Sequence, residues 1–144
     1  MPPLPRLSVL MPCYQLAGTI AGNIDRVVAA LAQEDGVEIV VADDGSTDGT
    51  RREAEQAAAR HPGVLVVANP QNAGKGRALQ RAFAASSGEV VVFLDGDLDL
   101  PPEQIPAMVT ELRRGGWDAL VGAKRAALVG GGYPWVRRVL SRAF

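Results

Sequence analysis

Three carboxylates stand at alternate positions in the stretch Val90 to Pro102, VVVFLDGDLDLPP: Asp95, Asp97 and Asp99. They follow a run of β-forming residues, so a buried strand would deliver them to its carboxyl end. Hard divalent cations such as Mg²⁺ take oxygen ligands, and they usually keep only one or two protein carboxylates, the rest being phosphate and water. The segment therefore points to a site for a metal and a diphosphate. Two rival readings fail on spacing. An EF-hand calcium loop starting at Asp95 would need Gly at its sixth position and Glu at its twelfth, where the chain has Leu100 and Pro106. A phosphatase with a DxD nucleophile would place a hydroxyl residue after the second acid, where Leu98 stands. The plainer alternative is a solvated acidic turn.

Two further stretches carry polar groups in usable patterns. In VVADDGSTDGT, Val40 to Thr50, the acids Asp43 and Asp44 follow an apolar run, and Gly45-Ser46 permits a tight turn. A carboxylate there can accept a hydrogen bond from a nucleobase N–H or a ribose hydroxyl. The alternative is a turn followed by a helix cap, with Asp48 as the cap. In NPQNAGKG, Asn69 to Gly76, backbone N–H groups at a helix start attract phosphate and Lys75 can add charge. It is not a Walker loop, because Asn69 stands where the first Gly belongs, and it is not a dinucleotide fingerprint, because Leu79 replaces the third Gly. Alone, this stretch reads better as a capped helix with an exposed Lys. Lys124 and Arg125 can neutralise phosphate or simply be loop charges. Arg137, Arg138 and Arg142 can face a membrane surface or a phosphate, or be a solvated helix face. Cys13 has no evident partner and His61 sits in a Pro-Gly turn; both read as structural.

The elements that must position these groups alternate. Leu7 to Met11 predicts a strand closed by Pro12, and Ile20, Ile24, Val27, Val28 and Leu31 recur at helical spacing. Val37 to Ala42 predicts a second strand, and Gly49 to Arg60 a helix. Val64 to Ala68 predicts a third strand. Asn72 precedes a helix with Leu79, Ala82 and Phe83 as its apolar face. Glu89 to Leu94 is apolar almost throughout, as a central strand covered on both faces should be. A helix from Pro101 or Pro102 presents Ile105, Met108, Val109 and Leu112, and Asp118 to Ala123 predicts a fifth strand. Trp135 to Phe144 predicts the start of a further helix that stops without a cap, as in a fragment of something longer. Alternation of this kind implies an α/β fold: a Rossmann-like, mostly parallel sheet with helices on both faces. Ligands bind such sheets beyond the carboxyl ends of the strands, near a switch in strand order. The polar clusters after strands one to four all fall at those ends.

Composition bounds the rest. With 144 residues, 47% of them hydrophobic and 22% charged, the chain reads as one domain, residues 1–144, with a real core. A net charge of −1 gives no support for nucleic-acid binding. One cysteine excludes a disulfide framework and suits a reducing compartment. No apolar run approaches the ~20 residues that span a bilayer, and the first residues, MPPLPRLSVLMP, lack the apolar core of a secretory signal. A cytoplasmic protein is expected. Oligomeric state is not legible.

Together, Pro12-Cys13-Tyr14-Gln15, VVADDGSTDG, NAGKG, GEVVVFLDGD and VGAK (Val121 to Lys124) resemble the family 2 glycosyltransferases, which have the glycosyltransferase-A fold. The pieces come in family order and cover nearly the whole chain. The continuation DLPPEQIP and the ending VRRVLSRAF are similar to the dolichol- and polyprenyl-phosphate branch. The resemblance implies that Pro12, Tyr14 and Asp43 line the nucleotide's base and ribose, with Asp44 supporting the turn. It implies that Asp95 and Asp97 hold Mg²⁺ or Mn²⁺ against the donor diphosphate, with Asp99 as an added metal ligand. Asn72, Gly74 and Lys75 then belong to the donor's phosphate side, and Lys124, Arg125 and Arg138 meet donor or acceptor phosphates, Lys124 close to the chemistry. Leu16 replaces a frequent Glu, Gln15 a frequent Asn and Gly96 a frequent Ala, and Lys124 cannot copy a bidentate Arg clamp.

The expected function is therefore metal-dependent, inverting sugar transfer from a GDP- or UDP-sugar to a polyprenyl or dolichyl phosphate, peripheral at the cytoplasmic face of a membrane. A lipid phosphate is already mostly ionised, its second ionisation lying near ~6, so a general base can be dispensed with; the alternative is a base that lies beyond Phe144. Two other classes compete. A nucleotide-sugar-binding module would bind donor without transfer. A nucleotidyltransferase would carry a basic, Gly-rich loop after strand one, where CYQLAGTIAGN has no Lys or Arg.

Overall fold

The structure, a computed structural model, describes residues 7–122. Four parallel strands alternate with helices in the order β1 (Leu7–Cys13), α1 (Ile20–Ala30), β2 (Val37–Asp43), α2 (Thr50–Ala58), β3 (Val64–Ala68), α3 (Lys75–Ala85) and β4 (Val90–Phe93). A 3-10 turn, Pro102–Gln104, leads into α4 (Ile105–Gly115). The sheet order is β3-β2-β1-β4. Cys13 stands opposite Asp43 in the β1–β2 register, and Leu10 stands opposite Phe93 in β1–β4. The chain thus steps outward through β2 and β3, then returns to the far side of β1. The switch in strand order falls between β1 and β4.

Period-two alternation along the strands feeds two cores. On one face Leu7, Val9, Met11, Ile39 and Val41 meet Ile20, Ile24, Val27 and Leu31 of α1, Ala54 and Ala57 of α2, and Ile105 and Val109 of α4. On the other, Leu10, Val40 and Ala42 meet Ala78 and Ala82 of α3. Helices on both faces follow, as the alternation predicts. Each Leu, Ile or Val fully withdrawn from water contributes about 1.5–3 kcal/mol, so the first face, with its long side chains, holds most of the stability. Helix α1 has no side-chain cap bond at Thr19 and no acid in its first turn; packing of its 3–4 spaced apolar stripe holds it.

Three expectations need correction. β4 is not central among the described residues: it pairs with β1 alone there, and its residues are half-buried or exposed, Phe93 being 62% exposed. Helix α3 lies over β1, β2 and β3, so among the described residues Val91 is only partly covered and Phe93 is exposed. The apolar stripe of α3 is Ala78 and Ala82, with Leu79 partly buried and Phe83 turned outward. Residues 118–122 carry no strand where the fifth was expected; Ala123, and the helix expected from Trp135 to Phe144, lie outside the described residues. The described residues contain no helix long and apolar enough to cross a membrane.

Candidate functional site at the carboxyl edge of the sheet

The tips of β1 and β2 are laced together by side chains. Gln15, which takes the left-handed backbone region at φ 54°, donates its N–H to Ser46 Oγ at 3.0 Å and accepts from Thr47 N at 2.8 Å. Leu16 N donates to Thr50 Oγ1 at 2.7 Å, Ala17 N to Asp48 Oδ2 at 3.1 Å and Gly18 N to Glu53 Oε2 at 2.8 Å. Asp48 is therefore not the helix cap that the sequence suggested. Gly49 occupies that position without a side-chain bond. Asp48 joins two loops instead, accepting from Thr50 N and Oγ1 on one oxygen and Ala17 N on the other. These bonds, the Thr50 hydroxyl first, outweigh partial burial and hold its carboxyl below the usual range.

Asp43 and Asp44 are neighbours with opposite fates. Asp44 is 3% exposed, and both its oxygens are taken. Oδ1 accepts from Asn69 Nδ2 at 2.7 Å and Ala73 N at 3.0 Å, and Oδ2 accepts from Gly74 N at 2.8 Å. Burial raises its pKa, but the three donors prevail and the carboxyl sits below its usual 3.8. Asn69 in turn accepts from Arg81 Nε at 2.8 Å. Asp44 thus holds the loop after β3 rather than opening toward a ligand. The N–H groups of Ala73 and Gly74, expected to face phosphate, face Asp44. Gly45 completes the contact: at φ 71°, a Cβ there would lie 2.3 Å from the backbone carbon of Gln71. Asp43, 2% exposed, accepts from Ser46 N at 3.1 Å on Oδ2, while its Oδ1 is buried with no partner among the described residues.

The acidic turn lies across the strand switch. Leu94 N donates to Leu10 O at 3.0 Å and Gly96 N to Pro12 O at 3.0 Å, so pairing with β1 runs past the end of β4. An added methyl on Gly96 would stand 2.9 Å from Pro12 O and 3.0 Å from Cys13 Cβ, which explains glycine between the two acids. Asn23 Nδ2 of α1 donates to Gly96 O at 2.8 Å, and Arg26 grips Glu103 through two bonds of 2.7 and 2.9 Å. Leu98 then adopts φ 54° and donates to Asp95 O at 2.9 Å. That turn ends the extended geometry, so the three acids do not line one face. Asp97 Oδ1 accepts from Asp99 N at 3.2 Å. Among the described residues no three acidic, His or Cys side chains gather closely enough to enclose a metal, so Asp99 does not complete a protein-only cage. Asp95 instead holds Lys75 Nζ at 2.5 Å. Two carboxylates with diphosphate and water oxygens fit Mg²⁺ or Mn²⁺, and the ammonium on Asp95 shows that this oxygen takes a cation.

Tyr14 is half-exposed beside these loops, Pro12 is buried, and Asn72 and Gly74 are on the surface of the loop after β3. Cys13 is 4% exposed; burial, then the charges of Asp43, Asp48 and Asp44, push its thiol up to about 12, so it stays protonated and inert. Lys124, Arg125 and Arg138 lie outside the described residues. His61, just past the end of α2, bonds Asp25 in the middle of α1 at 2.6 Å. An apolar hollow of about 180 Å³, lined by Val28, Leu31, Val37, Ile39 and Val64, lies at the opposite, amino-terminal edge of the sheet. Sequence reasoning missed Asn23, Arg81, the bonds that Asn69 makes to Asp44 and Arg81, and the Thr50 and Glu53 bridges. Their polar side chains carry no local signal, because each acts on a partner more than ten residues away.

Known proteins resemble this chain in sequence and fold. The description Glycosyl transferase family 2 matches residues 8–142. The chain is 36% identical over 127 residues to the undecaprenyl-phosphate 4-deoxy-4-formamido-L-arabinose transferase of Serratia proteamaculans, covering 86% of this chain and 38% of that protein. It is 33% identical over 141 residues to the dolichol-phosphate mannosyltransferase of Pyrococcus furiosus, covering 95% of this chain and 38% of that one. It also superposes on a mannosyltransferase from Pyrobaculum calidifontis in complex with GDP-Man and Mn²⁺, with a TM-score of 0.60 and 30% identity over 77% of this chain and 33% of that one. The chain thus spans 38% of the length of each of these two relatives. The parallel sheet, its flanking helices and these neighbours give a glycosyltransferase-A fold, and the chain belongs to glycosyl transferase family 2.

Proposed function

We propose that residues 1–144 form one donor-binding and catalytic unit of a metal-dependent glycosyltransferase. It would move a sugar from a GDP- or UDP-sugar to a polyprenyl or dolichyl phosphate with inversion at the anomeric carbon. The observation that carries this reading is Asp43 Oδ1, buried and without a partner among the described residues, at the same edge as the acidic turn. An unpaired buried acceptor costs on the order of 1–3 kcal/mol. A nucleobase N–H or ribose hydroxyl arriving there removes that cost. Tyr14 supplies an exposed ring beside it.

Asp95 and Asp97 would hold Mg²⁺ or Mn²⁺, whose chemistry is to stabilise the negative charge that grows on the leaving diphosphate. The Pyrobaculum neighbour's complex with GDP-Man and Mn²⁺ supports that assignment. Lys75 shares the diphosphate's charge, with Lys124, Arg125 and Arg138 as further cations for donor or acceptor phosphate. Asp44 and Asn69 keep the Lys75 loop in place. The polyprenyl acceptor is favoured by the Serratia and Pyrococcus relatives, whose names carry such phosphates. Its ionised oxygen attacks without a protein base, and the protein works at the cytoplasmic face of the membrane that holds it.

Titration of GDP- and UDP-sugars with and without Mn²⁺ tests the donor site. Donor binding should depend on the metal, and Asp97→Ala should weaken it by about tenfold or more, the loss of one charged contact. Equal binding by Asp97→Ala and the parent rejects the site. Transfer of labelled sugar to a polyprenyl phosphate then tests the acceptor; saturable donor binding with no transfer leaves a binding module.

A further inference from the structure

The contact between Lys75 and Asp95 joins two elements that are far apart in the sheet. Lys75 opens α3, which follows β3, while Asp95 follows β4, on the other side of β2 and β1. The backbone just before Lys75 is fixed, because Asp44 holds the N–H groups of Ala73 and Gly74. The turn carrying Asp95 is fixed as well, by Gly96 N on Pro12 O and Asn23 on Gly96 O. Two anchored backbones thus hold an ammonium against a carboxylate oxygen at 2.5 Å, with both side chains about half open to water. The pair lies where a donor diphosphate and its cation are proposed to sit.

We propose that Lys75 is an internal counter-ion that couples metal binding to donor binding. This rests on the donor-site reading above. In the donor-free protein Lys75 neutralises Asp95, so a divalent cation must displace a positive charge and then lie beside it. A diphosphate changes that balance, since it offers Lys75 a second anionic partner. Lys75 then leaves Asp95 for phosphate, and the carboxylate is released to the metal. Metal and nucleotide therefore bind as a linked pair, each raising the other's affinity by the same factor. The exchange is quick and reversible, because an exposed ion pair is weak and the Lys stem has four rotatable bonds.

Mn²⁺ binding to the intact protein, read from the paramagnetic signal of the free ion, tests this without any turnover. Lys75→Met keeps the apolar stem and removes the charge. Without nucleotide it should bind Mn²⁺ about two- to fivefold tighter than the parent, the scale of an exposed ion pair. Lys75→Arg should match the parent. With a nucleoside diphosphate present, Lys75→Met should show a smaller mutual enhancement than the parent, the part that remains being the direct attraction between Mn²⁺ and the diphosphate. If Lys75→Met binds Mn²⁺ no tighter than the parent without nucleotide, the counter-ion role is wrong. Asp97→Ala separates the two failures. If it leaves Mn²⁺ binding intact, the metal site itself falls; if it abolishes binding while Lys75→Met equals the parent, only the coupling falls.

Discussion

The tips of β1 and β2 and the tip of β4 belong to one edge but are built differently. At β1 and β2, the loops 14–18 and 43–53 are cross-bonded at five backbone N–H groups by Ser46, Thr50, Asp48, Glu53 and Gln15. Asp44 adds three more bonds toward the loop after β3. The tip of β4 hangs from β1 and Asn23, ends a strand of four residues and turns outward to a solvent-exposed ion pair. The first region is set before any ligand arrives, whereas the second carries, on an anchored turn, exposed side chains that can exchange partners at little cost. A nucleotide is read by shape and hydrogen bonding, which reward a fixed frame. A metal and a diphosphate bring their own charge and need side chains that can exchange partners.

The contrast can be broken most forcefully at Asp44. Asp44→Ala strands Asn69 Nδ2 and two backbone N–H groups, and should lower unfolding stability by about 3 kcal/mol in a urea titration. Asp44 also predicts an acid limb. Its folded pKa lies below the ordinary 3.8, so its contribution is fully present above that pH and lost as the pH falls through the folded value. The parent should destabilise there, and Asp44→Asn should show a flatter curve. An effect of intermediate size is expected for Gly96→Ala, whose methyl must push against Pro12 O and Cys13; about 1–3 kcal/mol should appear as a lower urea midpoint. The smallest belongs to the bare side of β4. Phe93→Ser should change stability by no more than about 0.5 kcal/mol, read in the same titration. A loss as large as that of Gly96→Ala would mean that Phe93 is covered after all.

Much of this edge was legible because strand ends announce themselves. Apolar runs that stop at Asp43, Asn69 and Asp95 put polar groups where a parallel sheet receives ligands, and the helical stripe of Ile20, Ile24 and Val27 is buried as its spacing requires. What escaped was direction and partnership. Nothing local says that Asp43 keeps a free oxygen while Asp44 keeps none, since their partners lie up to thirty residues on. Asp48 resembled a cap because capping and loop bridging use the same side chain. The turn after Asp97 was not legible because Leu98, a residue with no turn signal, takes a left-handed conformation. Among the described residues β4 is an outer strand; an all-apolar strand predicts covered faces but not which element covers them.

The packing of Gly45 against Gln71 and Asn72 has a consequence for how this sequence can vary. Surface loops ordinarily absorb insertions and deletions well. Here two main chains touch with no side chain between them, and Asp44 clasps residues 73 and 74 immediately afterwards. The segment from Asn69 to Gly74 therefore acts as a spacer of fixed length. One residue more or fewer displaces everything beyond it by up to about 3.8 Å, so natural variants should exchange residues within this segment far more readily than they change its count.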